Sequence, residues 1–147
     1  MARIVNVGVT GTRYGMNDRQ KIRFRSLMLH LCPLALNHGD CVGVDSEVHE
    51  IAVGMGIDVY LHPPINPKLR AFCQGYMSSE EPKEYFERNR CIVSSSGVII
   101  GVPSTDYDTG RGGTWYTINY ALSKGLPVAI VYPDIKTQYC NWRLPWV

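Results

Sequence analysis

Four short apolar runs in this chain each break directly into a cluster of glycine and polar residues, and this repetition restricts the possible folds more than any other feature. IVNVGV at 4–9 leads into TGTRYG at 10–15, and LALNH at 34–38 into GDCVGVD at 39–45. IDVYL at 57–61 leads into HPP at 62–64, and GVIIGV at 97–102 into PSTDYDTGRGGT at 103–114. Short aliphatic runs without strict alternation fit strands covered on both faces, as in parallel sheets.

Helical patterns separate the runs. Asn17 stands where a cap belongs, before a helix over 18–31 with Ile22, Met28, Leu29 and Cys32 available for burial; Pro33 ends it. From Val44 the period is helical again, with Val48, Ile51, Ala52 and Met55 on one face. Residues 66–82 have no clean period. A third helix spans 84–94 with Phe86, Cys91, Ile92 and Val93 as its apolar content. A fourth covers about 115–124, ended by Gly125, and 127–132 supplies a fifth strand. The last fifteen residues have no strong period, and Trp142 and Trp146 are expected to pin them to the body or to a partner.

Strands alternating with helices predict an α/β fold, a Rossmann-like three-layer sandwich with a mostly parallel sheet. The length of 147 residues suits one domain, 1–147, with 133–147 as a C-terminal tail. In such sheets ligands bind beyond the carboxyl ends of the strands, where the glycine clusters fall. A net charge of +2 is too weak a bias to predict a nucleic-acid or membrane partner. Neither end reads as a signal or anchor, and five widely spaced cysteines without a CxxC pair fit reduced thiols, so a cytoplasmic protein is expected. No cofactor is expected. No metal site is expected either, because His30, His38, His49 and His62 and the acidic residues lack a ligand spacing.

The loops supply the candidate site. In the first, Gly8 and Gly11 allow close backbone approach, Thr10 and Thr12 offer hydroxyls, and Arg13 a bidentate phosphate contact. The sequence is neither GxGxxG nor Walker A. In the second, Gly39, Asp40, Gly43 and Asp45 are candidates. Asp45 can cap the helix it precedes and lies one turn from His49, within reach of a hydrogen bond. Asp40, with no capping task, is the better polar ligand for a ribose hydroxyl or base edge. In the fourth, Pro103 and Arg111 flank Gly112, Gly113 and Thr114, a glycine-rich helix start suited to phosphate; the plainer alternative is that Thr114 only caps the helix.

Taken in order, GVTGTR at 8–13, HGDCVGVD at 38–45, RNRCIV at 88–93, Pro103 and GGTWYT at 112–117 resemble the SLOG superfamily. That Rossmann-like group includes DprA, the cytokinin-activating phosphoribohydrolases and small uncharacterised bacterial and phage proteins. The resemblance covers about residues 4–132 and implies a nucleotide-binding pocket built from the glycine-loop residues just named. It also brings Arg88 and Asn89 forward. The hydrolase branch cleaves the N-glycosidic bond of nucleoside monophosphates with an arginine before the fourth strand and a glutamate after the glycine run. This chain departs from that branch, because Trp115, Tyr116 and Thr117 follow Thr114 and no carboxylate occurs until Asp134.

The expectation is therefore a binder of a nucleotide or nucleotide-derived ligand, acting as a sensor or sequestering protein. The alternative is a nucleoside or nucleotide N-glycosidase or transferase, with Asp40, Asp45 and Arg88 as the catalytic candidates. A further alternative is single-stranded DNA binding, which near-neutral charge disfavours. Three tryptophans and nine tyrosines make a homo-oligomer, a dimer or tetramer, an expectation too.

Overall fold

A computed structural model describes residues 6–143. Seven strands form one sheet in the order β4-β3-β2-β1-β5-β6-β7. They are β1 (Asn6–Gly11), β2 (Ala35–His38), β3 (Asp58–Leu61), β4 (Ser78–Ser79), β5 (Val98–Val102), β6 (Val128–Ile130) and β7 (Gln138–Cys140). All neighbours pair in parallel except β6 and β7. The helices are α1 (Asp18–Leu31), α2 (Val44–Gly54), α3 (Tyr85–Ser94) and α4 (Gly113–Ser123). The α/β three-layer fold expected from the sequence is the one observed.

Alternation along the strands divides the core. Val98, Ile100 and Val102 of β5, with Ala129 and Val131, join Phe24, Leu27 and Leu31 of α1 and Val48 and Ala52 of α2. The intervening Ile99, Val128 and Ile130 join Ile92 and Val93 of α3 and Trp115 and Ile118 of α4. So α1 and α2 cover one face, and α3 and α4 the other. From β1 the chain winds outward through β2, β3 and β4, then returns through α3 to place β5 against the other edge of β1. The strand order reverses between β1 and β5, the position where open α/β sheets leave a crevice.

Several boundaries and faces differ from the sequence reading. Ile4 and Trp146 lie outside the described residues. Ile22 and Leu29 are not buried but 68% and 66% exposed. The buried face of α1 is instead Gln20, Phe24, Leu27, Met28 and Leu31, a truer helical period. Cys32 is exposed and closes α1 in a left-handed conformation, φ 46°. Phe86 is exposed, and Met55 is only partly covered. The irregular 66–82 stretch contains a 3-10 turn (Pro67–Leu69) and the two-residue β4. The tail adds β7 as an antiparallel edge strand, and Trp142 packs against the α1/α2 side of the core.

The Asn17 cap is as expected. Its side chain accepts from the Gln20 N–H, and the Gln20 side chain accepts from the Asn17 N–H. Gln20 also donates to the carbonyls of Pro103 and Val131, tying α1 to the ends of β5 and β6 beside the crevice.

Candidate functional site

At the β1/β5 reversal lies a cavity of about 420 Å³. Its floor is the end of β1, including Thr10 and Gly11, and Thr12 and Arg13 continue one wall. Pro103, Ser104 and Thr105 leave β5 opposite, and Gly112, Gly113 and Thr114 bring the N-terminus of α4 to the rim together with Arg111. Arg88 and Asn89 reach it from α3, and Asp45 and Cys41 from the loop before α2. Three arginines face one carboxylate in this lining, a positive balance.

The α4 end is open. Gly112 is its N-cap at φ 85°, and no side chain caps the first turn. Thr114 therefore does not cap α4, which overturns the plainer sequence alternative. Uncapped N–H groups and the dipole make such an end favourable for an anion. Gly113 is tightly covered: a Cβ there would lie 1.8 Å from the Tyr85 hydroxyl.

Arg88 is 4% exposed and lies deep in the cavity wall. Its Nη1 donates to the Gly39 carbonyl at 2.6 Å, its guanidinium stands 5.4 Å from the Tyr85 ring centre, and its Nε has no partner. Asp45, 6% exposed, turns back from α2 rather than capping it: Oδ2 accepts from the N–H groups of Gly39 and Cys41 at 3.1 and 3.2 Å. Its Oδ1 has no partner. Burial pushes the Asp45 carboxyl up to about 6, although Arg88 and the two N–H groups pull the other way. Burial likewise raises the Cys41 thiol, whose Sγ lies 3.5 Å from Arg88. Arg13 is exposed, and its guanidinium lies against Tyr14, donating to that hydroxyl at 3.1 Å.

Four candidates do not line the cavity. Gly8 sits mid-strand, where a Cβ would meet Ser96 Oγ at 2.3 Å. Gly39 gives way to Arg88, whose Nη1 would lie 2.0 Å from a Cβ. Gly43, at φ 92°, lets the second loop pass close to Arg13, whose carbonyl carbon a Cβ would meet at 2.4 Å. These three glycines shape the walls. Asp40, the fourth, is fully buried and committed elsewhere. It bonds Arg70 Nε at 2.7 Å and the Cys73 N–H at 2.9 Å, while its carbonyl accepts from Ala71. The absence of a capping task did not leave Asp40 free; it fastens the 67–75 segment to the end of β2.

The expected Asp45–His49 hydrogen bond is not formed. His49 Nδ1 faces His38 Nε2 at 2.9 Å, His38 Nδ1 accepts from the Asp40 N–H at 2.9 Å, and His49 Nε2 meets the Gln74 carbonyl. Only one tautomer set satisfies this chain: His38 donates from Nε2 to His49, which donates to Gln74. Burial holds His38 neutral down to about 3. Cys73 Sγ joins the two rings within 4.8 Å, a cluster that sequence spacing gave no sign of. A metal on His38 Nε2 would force the proton onto Nδ1, against the Asp40 N–H, so this donor set fits a hydrogen-bonded relay better than an ion.

Among the described residues no helix is long and apolar enough to cross a membrane. Comparison with family models finds no match, and comparison with curated proteins finds none. Solved structures do match. The molybdenum cofactor binding protein from the phototrophic bacterium Rippkaea orientalis superposes with a TM-score of 0.66 at 19% identity, covering 91% of this chain and 80% of that one. The protein TM1055 superposes with a TM-score of 0.57 at 18% identity, covering 84% and 72%. At these identities the likeness is one of fold: the chain shares a Rossmann-like α/β architecture with both.

Proposed function

We propose that this protein binds a nucleotide or nucleotide-derived ligand in the β1/β5 crevice, as a sensor or sequestering protein of SLOG type. The observation that carries the reading is the conjunction, on one cavity wall, of an uncapped glycine-rich helix start and a buried arginine with an unpartnered Nε. A buried guanidinium without a carboxylate partner is costly to the fold, and an anion entering the cavity offsets that cost. The phosphate lies at Gly112–Thr114, with Arg111 and Arg13 at the mouth. Thr10, Asp45 and Asn89 line the cavity beyond the phosphate. That a structural neighbour is a molybdenum cofactor binding protein supports small-molecule binding in this fold in general.

A second reading is favoured by Asp45. A carboxyl raised to about 6 beside a buried arginine has the proton affinity of a general acid–base group near neutral pH. In a nucleotide N-glycosidase, water adds to the anomeric carbon as the bond to the base breaks. Asp45 takes the water's proton and passes it to the departing nitrogen, leaving free base and sugar phosphate.

Native mass spectrometry of the purified protein, with a panel of nucleotides incubated alongside, tests both readings. A nucleotide held and released unchanged is the result expected of a binder. Free base and sugar phosphate that disappear in Asp45→Asn establish the hydrolase instead, and no retention of any nucleotide contradicts the site.

A further inference from the structure

Beside the main cavity, on the far side of the α4 start, lies a second hollow of about 480 Å³ between α3 and α4. The two share Tyr85, Gly112, Gly113 and Trp115 as a common wall. Half of its ten lining residues are aromatic. Phe86 packs against Tyr116 with ring centres 4.5 Å apart, and Tyr116 and Tyr120 lie 6.3 Å apart and within 14° of parallel. Phe86 is half exposed, and Tyr116 and Tyr120 are partly so. The three rings thus meet on adjoining helices and line one hollow.

Charges of both signs flank the hollow. Arg90 donates to the Tyr116 hydroxyl at 3.1 Å, and Lys124 stands 5.3 Å from the Tyr120 ring centre. At the far end Asn119 donates to Asp108 Oδ2 at 2.8 Å, and Asp108 Oδ1 accepts from Gly110 at 2.8 Å. Asp108 is thus committed and holds the amide in place. The Asn119 carbonyl and its second N–H have no partner among the described residues. A fixed amide with one acceptor and one donor matches the edge of adenine.

We infer that this groove is the slot for the ligand's planar heterocycle, and that the slot prefers adenine, an inference that rests on the nucleotide reading of the neighbouring cavity. The phosphate stays at the α4 start, and the base lies along α4 on Tyr116, with its edge at Asn119. Gly113 and Asn119 are six residues apart, a rise of about 9 Å along the helix. That rise is comparable to the reach from a nucleotide's phosphate to the far edge of its base. An amide edge held beside aromatic faces argues for a planar heterocycle over a purely apolar partner.

Calorimetric titration with adenosine 5′-monophosphate and with ribose 5-phosphate tests the slot. In Tyr116→Ala the nucleotide is expected to bind roughly five- to a hundredfold more weakly, the range for losing one stacked base. Ribose 5-phosphate should bind as it does to the unaltered protein, and Tyr116→Phe should restore nucleotide affinity. Asn119→Ala should weaken adenosine monophosphate more than cytidine monophosphate. Equal loss of both probes, or unchanged nucleotide affinity, overturns the slot while leaving the phosphate site standing. Unchanged affinity together with a smaller sedimenting mass in Tyr116→Ala identifies the groove as a contact between copies of the chain and likewise overturns it. If the unaltered protein binds neither probe, the cavity reading falls and the slot with it.

Discussion

Two polar clusters sit at the carboxyl ends of the strands, and they are built on opposite plans. Around β2, Asp40 pairs with Arg70, and both ring nitrogens of the buried His38 and His49 are hydrogen-bonded. Around β1 and β5, Arg88 and Asp45 are equally buried, yet each keeps a polar atom unpartnered beside an open cavity and an uncapped helix end. A satisfied network rigidifies a fold, whereas an unsatisfied one weakens it unless something else completes it. The contrast separates residues that hold the protein together from those the proposed function assigns to a ligand.

The closed cluster should govern stability, most of all in acid. His38, and His62 beside it on the Asn37 side chain, are held neutral by burial down to about 3 and about 4. The unfolded chain protonates both below about 6.5 and the folded one does not, so their stabilising effect is present above that pH and lost as pH falls toward 3. Urea titrations across pH 7 to 4 should show a loss of several kcal/mol; a flat profile would break the comparison. Asp40→Ala strands Arg70 and the Cys73 N–H and should cost about 3 kcal/mol, the lower end for breaking a buried pair because Arg70 is partly solvated.

The open cluster should behave in the reverse way. Asp45 has a raised folded pKa of about 6 against 3.8, so its contribution is fullest below about 4 and is lost as pH rises through 6. Asp45→Asn, which keeps an oxygen for Gly39 and Cys41, should stabilise the protein by about 2 kcal/mol at pH 8. That gain should shrink as pH falls to 4, and denaturation at the two pH values would sharpen the contrast. Thr114→Ala removes no cap and should change stability by under about 0.5 kcal/mol. A larger loss would mean that the α4 start is structural after all.

Local signals in the sequence carried much of the fold and only part of the site. The Asn17 cap, the strand-end glycines and the helices over 18–31, 84–94 and 115–124 depend on neighbours within a turn or two, and those were legible. The strands β4 and β7, of two and three residues, take their identity from pairing with β3 and β6, which leaves no period to read. The site divides in the same way. Gly112, Gly113 and Thr114 announce an anion-suited helix start by themselves. Asp40 looked free because Arg70 and Cys73 are thirty and more residues away, and Ile22 looked buried because hydrophobicity alone does not choose between helix faces. The aromatic row of Phe86, Tyr116 and Tyr120 was illegible, since it spans two helices.

The central claim is that Arg88 is kept buried and incompletely paired for a phosphorylated ligand rather than for the fold. The most direct test is titration of the unaltered protein and of Arg88→Met with adenosine 5′-monophosphate, with thermal unfolding measured on the same samples. The account predicts saturable binding to the unaltered protein, at least tenfold weaker in Arg88→Met, with stability changed by no more than about 1 kcal/mol. Equal affinity in the two proteins, or a collapse of stability in the variant with no binding to the unaltered chain, would contradict it.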